Sequence, residues 1–246
     1  MTPVGSYRVV VMFYAALGLL LAFFFTRLSS AAEVSLSGEE PVSPAAMKTF
    51  FGVADSRNVI VKLSGLFALD SFSGGFVVQS FAVYWFYLRF GADPGTLGVI
   101  FFWANVFAGV SALLASRLAS HFGLIKTMVF THLPSNILLI LVPLMPNLPL
   151  AVAVLLLRFS ISQMDVPARQ SYTMAVVRPE ERSAAAGITG VARTIGAAIA
   201  PLFAGFMFAR PSLINMPFFM AGAMKIIYDL LLYNGFVTVQ PPEETS

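Results

Sequence analysis

Five ionisable side chains stand inside apolar runs of this chain: Asp70, Arg158, Arg193, Lys225 and Asp229. A charge at the centre of a membrane helix costs about 2.5–3.5 kcal/mol on insertion scales, so such residues usually face a bundle interior or a water-filled path. Asp70, in Leu69-Asp70-Ser71-Phe72-Ser73-Gly74-Gly75, could bind a proton or a cation, or serve as a helix-to-helix partner. Arg158 needs a carboxylate or carbonyl on a neighbouring helix, and Asp70 is one candidate. Gln79 and Asn136 complete the polar candidates for transport or coupling, although on an ideal helix Gln79 lies about 180° from Asp70. Lys225 and Asp229, spaced i, i+4, are expected to pair locally. Arg158 and Asp165, seven apart, share a face two turns from each other, too far for a direct bond along one helix. Arg117, Lys126, Asp165 and Arg169 are candidates for a charge cluster gating the cytoplasmic side. His132, beside Pro134 and Asn136, could titrate near neutrality, and a hydrogen bond at a helix kink is the plainer expectation.

No arrangement of these residues suggests catalysis. The two histidines, His121 and His132, are far apart, and there is no H-E-x-x-H, no G-x-S-x-G and no phosphate-binding glycine loop. The chain has no cysteine, which excludes thiolate metal sites and cysteine nucleophiles. Neither enzyme activity, a metal nor a cofactor is expected. The net charge of +3 is spread over loops without interleaved aromatics, so nucleic acid is not an expected partner.

The elements that must position these side chains are membrane helices. Only 11% of residues are charged, against about 25% in soluble domains, and 58% are hydrophobic; the mean hydropathy is +0.82. A helix spans the hydrocarbon in about 20 apolar residues. Seven stretches qualify, near 9–25, 59–87, 97–115, 127–144, 150 onward, 184–208 and 216–236. The expected organisation is one helix (1–26), a polar linker (27–58), a six-helix bundle (59–239) and a polar tail (240–246). Arg27, Lys48, Arg57, Lys62, Arg117, Lys126, Arg169, Arg178 and Arg182 fall on one side of the membrane. Arg8, Arg89 and Arg210 fall on the other. The excess of basic residues places the linker and tail in the cytoplasm.

Three stretches carry a family resemblance. The segment Ala115-Ser116-Arg117-Leu118-Ala119-Ser120-His121-Phe122-Gly123-Leu124-Ile125-Lys126 resembles a degenerate copy of the major facilitator superfamily's signature loop, roughly G-x-x-x-D-R-x-G-R-K. Gly123 is kept and Arg117 and Lys126 supply positive charge, while Ser120 and His121 replace its Asp and Arg. Gly196-Ala197-Ala198-Ile199-Ala200-Pro201-Leu202-Phe203-Ala204-Gly205 is similar to the antiporter motif, with Ala200 and Ala204 in place of glycines. Independently of the resemblance, Gly187, Gly190, Ala197, Pro201 and Gly205 recur at helical spacing as one small-residue face; with Gly196 they form the expected helix-packing motif. Leu157-Arg158-Phe159 with its polar continuation resembles the repeat partner of the family's fourth-helix arginine motif. The loop Arg178-Pro179-Glu180-Glu181-Arg182, beside a Gly/Ala-rich helix, is similar to the drug-efflux branch.

The resemblance implies an all-α polytopic membrane protein of about seven helices, six forming one major-facilitator half-bundle. It implies a transporter of a small molecule, with proton-coupled efflux by antiport in a plasma (bacterial inner) membrane as the expectation. Seven spans correspond to a family member lacking its first five helices, whose partner would be a second half-bundle, from another copy or another chain. The alternative is a non-transporting membrane scaffold or subunit.

Overall fold

The computed structural model describes residues 3–27, 53 and 55–239, and its regular elements are all helical. The chain divides into two units, Met1–Ala46 and Met47–Ser246. The first contains α1 (Pro3–Thr26), which is apolar on every side from Val9 onward and closes with the Thr26 hydroxyl donating to the Phe23 carbonyl. A helix without a polar face suits surroundings of lipid. The expected linker falls mostly outside the described residues, as does the tail.

The second unit is a bundle of α2 (Arg57–Gly75), α3 (Gln79–Phe90), α4 (Pro94–Phe122), α5 (Leu124–Leu141), α6 (Leu148–Phe159), α7 (Asp165–Ala175), α8 (Arg182–Phe208) and α9 (Met216–Phe236). Five stretches are long and apolar enough to cross a membrane: Arg57–Phe90, Pro94–Phe122, Leu124–Leu144, Pro179–Phe208 and Pro211–Phe236. The short apolar α6, continued by α7, is the remaining arm of the six-span bundle. Turn chemistry sets the joints. Gly91 closes α3 in the left-handed region, and the Asp93 carboxylate caps α4 by accepting from the Gly95 and Thr96 amides. These bonds, with one from the Thr96 hydroxyl, hold the Asp93 carboxyl below the usual carboxylate range. Asn147 caps α6 through the Leu150 amide.

Three expectations are corrected. The second span is not one tilted helix. It breaks at residues 76–78, where Val78 is extended (φ −55°, ψ 151°), just after the poor helix formers Gly74 and Gly75. The fifth span also breaks, at residues 160–164, because Pro167 has no amide to continue the helix and its ring would meet the carbonyl of Gln163. Arg158 and Asp165 therefore lie on different helices. The segment between the third and fourth spans is helical almost throughout, since α4 runs to Phe122 and the chain turns at Gly123 alone (φ 82°).

Packing is tightest where α2 crosses α8. A Cβ on Gly196 would come within 2.3 Å of the Ala68 carbonyl oxygen, and one on Gly75 within 2.7 Å of the Ala200 Cβ. The buried face of α8 is Ala185, Thr189, Gly196, Ala200, Ala204 and Phe208. Gly187, Gly190 and Gly205 point away from it into open space. The expected packing motif is thus two faces: Gly196 and the half-buried Pro201 meet α2, and the other three glycines remain exposed.

Two large apolar cores result, beside a smaller cluster of Val53, Ile60, Val177 and Ala185. One gathers Trp85, Phe86, Phe101, Leu139 and Phe218, and the Trp85 indole donates to the Asn215 side chain at 2.8 Å. The other holds Leu63, Phe67, Met128, Tyr172, Tyr228 and Leu232. At the end of α2 and on α5 and α9 the first core contributes Phe76, Leu139 and Ala221; on α2, α5 and α9 the second contributes Phe67, Met128 and Tyr228. Asp70, His132 and Lys225 lie between those positions.

Candidate functional site

Between the two cores sits a buried polar cluster drawn from four helices. Asp70 on α2 is its hub. Its Oδ1 accepts from Lys225 Nζ of α9 at 2.5 Å, and its Oδ2 accepts from Arg169 Nη1 of α7 at 2.7 Å. Arg169 Nη2 also reaches Asp165 Oδ2 at 3.2 Å, one turn away, and its guanidinium lies over the Phe67 ring at 5.4 Å. On the other side of the hub, His132 Nε2 is 3.9 Å from Asp70 Oδ1. His132 Nδ1 is 2.7 Å from Asp229 Oδ1, and the Asn136 amide donates to Asp229 Oδ2 at 2.9 Å. With Asp229 ionised, the short contact requires a proton on Nδ1. All seven residues are less than 9% exposed, and Asp229 is fully buried.

Several pairings differ from expectation. Lys225 and Asp229 do not pair with each other. Though one turn apart, they point to different neighbours, Lys225 to α2 and Asp229 to α5. Asp70 does not meet Arg158; its cationic partners are Arg169 and Lys225. The four gate candidates are not brought together either. Asp165 and Arg169 are buried in the cluster, whereas Arg117 and Lys126 are exposed and form no ion pair with any described residue. Arg193, whose partner the sequence left open, donates to the Ser71 hydroxyl at 3.4 Å.

Arg158 belongs to a different place. It lines an open cavity of about 510 Å³ together with Gln79, Asn105, Gln163, Phe159 and apolar residues of α3 to α6 and α9. Gln79 lines this cavity, apart from Asp70. The transport candidates therefore separate into two groups: Asp70 and Asn136 in the charged cluster, Arg158 and Gln79 in the cavity.

Sequence reasoning passed over Asn105, Gln163 and Glu181. Asn105 donates to the Gln79 side-chain oxygen at 3.2 Å across the α3–α4 contact. Glu181 accepts from the Asp55 and Ser56 amides, both at 3.0 Å, and Arg178 pairs with Asp55. These bonds bind the start of α2 to the start of α8. The buried Glu181 could not be told from its neighbour Glu180 by sequence, since both occupy a polar loop.

The sequence profile of the Major Facilitator Superfamily matches residues 71–246. The chain belongs to this superfamily of membrane transporters, and it is a multi-pass membrane protein. It is also 28% identical over 186 residues to an uncharacterised membrane protein of Saccharomyces cerevisiae, YJR124C. That alignment covers 75% of the chain and 41% of the relative, so the chain spans about two fifths of the length of this curated relative. The yeast origin of the relative gives no support to a bacterial inner membrane. No solved structure matches the chain significantly.

Proposed function

We propose that this bundle is one half of a proton-coupled secondary transporter of small molecules. The observation that carries the reading is the charge count of the buried cluster. Three carboxylates, Asp70, Asp165 and Asp229, face two basic side chains, Arg169 and Lys225. With His132 neutral the directly paired groups carry one negative charge in excess; with one added proton they balance. An unbalanced charge in a low-dielectric interior is costly, so the cluster is suited to take and release one proton. His132 stands between two of these carboxylates. Tyr228 adds a buried phenol against the His132 ring; Arg193, hydrogen-bonded to Ser71, and Arg158 lie outside the ion pairs but act on Asp70 and Asp165 from a distance.

Family members hold substrate between two bundles that rock about a site near the midplane. The exposed glycine face of α8 is a suitable surface for a second bundle, since small residues allow backbones to approach. The second bundle would be another copy or another chain. Export is the direction we favour, from the resemblance to the efflux branch.

Reconstitution at high protein density tests this reading. Solute flux in liposomes is measured under an imposed pH gradient, with toluenesulfonate as anion and benzyltrimethylammonium as cation. Gradient-driven flux of either that loses its pH dependence in His132→Gln supports proton coupling through the cluster. Flux no greater than in empty liposomes in both arms overturns it and leaves the scaffold reading.

A further inference from the structure

We propose that the cavity around Arg158 binds a small organic anion, an acidic group on an apolar body. The inference rests on the transporter reading only in calling that anion the substrate. The cavity has one full charge, the Arg158 guanidinium, and no acidic side chain in its described lining. Among the described residues that guanidinium makes no ion pair and no hydrogen bond. Its Nε is fully buried and unsatisfied, and its neighbour is the Phe159 ring at 5.2 Å. Removing a cation from water without a partner is expensive, and here two carboxylates, Asp70 and Asp165, are already held by other cations. The guanidinium fork is thus left for a ligand, and its geometry suits a carboxylate, sulfonate or phosphate.

The rest of the lining fits the same chemistry. Asn105 donates to Gln79 Oε1, so that oxygen is occupied while the Gln79 amide hydrogens remain for an acceptor. Gln163 adds a second amide beside Arg158. Phe101, Leu155 and Phe218 supply an apolar wall for the body of the ligand. A volume of about 510 Å³ suits a small molecule. A cation would meet Arg158 with no compensating carboxylate.

The test is calorimetric binding to the purified full chain in neutral detergent. Toluenesulfonate is compared with its neutral isostere toluenesulfonamide, with benzyltrimethylammonium and with phosphatidylglycerol. The expected result is binding of toluenesulfonate, weakened roughly tenfold or more in Arg158→Gln, because a charge-assisted hydrogen bond is lost. Arg210→Gln, which removes an exposed arginine, should bind as the wild type does. If Arg158→Gln does not fold, the wild type and Gln79→Leu decide. At least a tenfold preference for the sulfonate over both isosteres, reduced in Gln79→Leu, supports the site. Equal binding of sulfonate and sulfonamide overturns it, as does undiminished binding in a folded Arg158→Gln. Binding of phosphatidylglycerol without toluenesulfonate also overturns it, in favour of a lipid headgroup. Toluenesulfonate binding without gradient-driven flux would leave this site standing and remove the transport reading. Flux of benzyltrimethylammonium without toluenesulfonate binding would do the reverse.

Discussion

Asp70 accepts hydrogen bonds from two cations on two other helices, and its removal strands both in different degrees. Arg169 keeps Asp165, whereas Lys225 has Asp70 as its ion-pair partner. Breaking one member of a buried ion pair costs about 3–5 kcal/mol, while replacing both can be close to neutral. Asp70→Asn should therefore lower the folded yield in detergent by an amount consistent with that cost, and Asp70→Asn with Lys225→Gln should recover most of it. Fluorescence-detected size exclusion after a temperature ramp measures both. A double variant as unstable as the single one would show that Lys225 is held by something other than Asp70. Arg158 should behave in the opposite way: Arg158→Gln removes a charge without a protein partner, so the unliganded protein should be as stable as the wild type or more so.

At the scale of elements, close approach at one crossing and breaks in two spans shape the site. The α2–α8 crossing leaves no room for a methyl group at Gly196, where the opposing atoms are backbone and cannot rotate aside. Gly196→Ala should lower stability by about 1–3 kcal/mol, the usual cost of overpacking. Gly187→Ala and Gly190→Ala should leave the isolated bundle unchanged, because nothing lies within 4 Å of either new Cβ. Thermal unfolding of the three variants in one detergent separates the two faces of α8. Equal losses at all three would mean that the exposed face is packed in solution. The breaks after Gly75 and before Asp165 matter differently. The break before Asp165 lets Arg158 and Arg169, which a continuous helix would place on one face, serve separate sites although they belong to one span.

For the whole molecule, the basic-residue count and the bundle's own contacts agree on which ends lie together. Glu181 and Arg178 bind Ser56 and Asp55, and the Tyr172 hydroxyl donates to the Val239 carbonyl. The entry to α2, the α7–α8 loop and the end of α9 thus share one face of the bundle. From the positive-inside bias we propose that this face is cytoplasmic. Because the chain has no cysteine, single-cysteine variants report without background. Glu180→Cys should resist an impermeant maleimide in intact cells, and Ser212→Cys, in the exposed α8–α9 loop, should react. The opposite pattern would invert the orientation and move the polar linker outside.

Hydropathy alone determined the class of this protein, an all-α polytopic membrane protein, because the bilayer demands long apolar helices and punishes everything else. Composition also marked the costly charges, Asp70, Arg158, Lys225 and Asp229, before any partner was known. Only the tertiary structure decided the partners. Local spacing favoured Lys225 with Asp229, and Asp70 was a candidate partner for Arg158, yet Lys225 and Asp229 point to different helices and Arg158 lines a separate cavity. Asn105, Gln163 and Glu181 gave no signal because an amide or a carboxylate near a helix end looks ordinary until another element is brought against it. Which buried charge finds a partner, and which is left for a ligand, depends on helix rotation and crossing, and those are fixed by contacts between residues far apart in sequence.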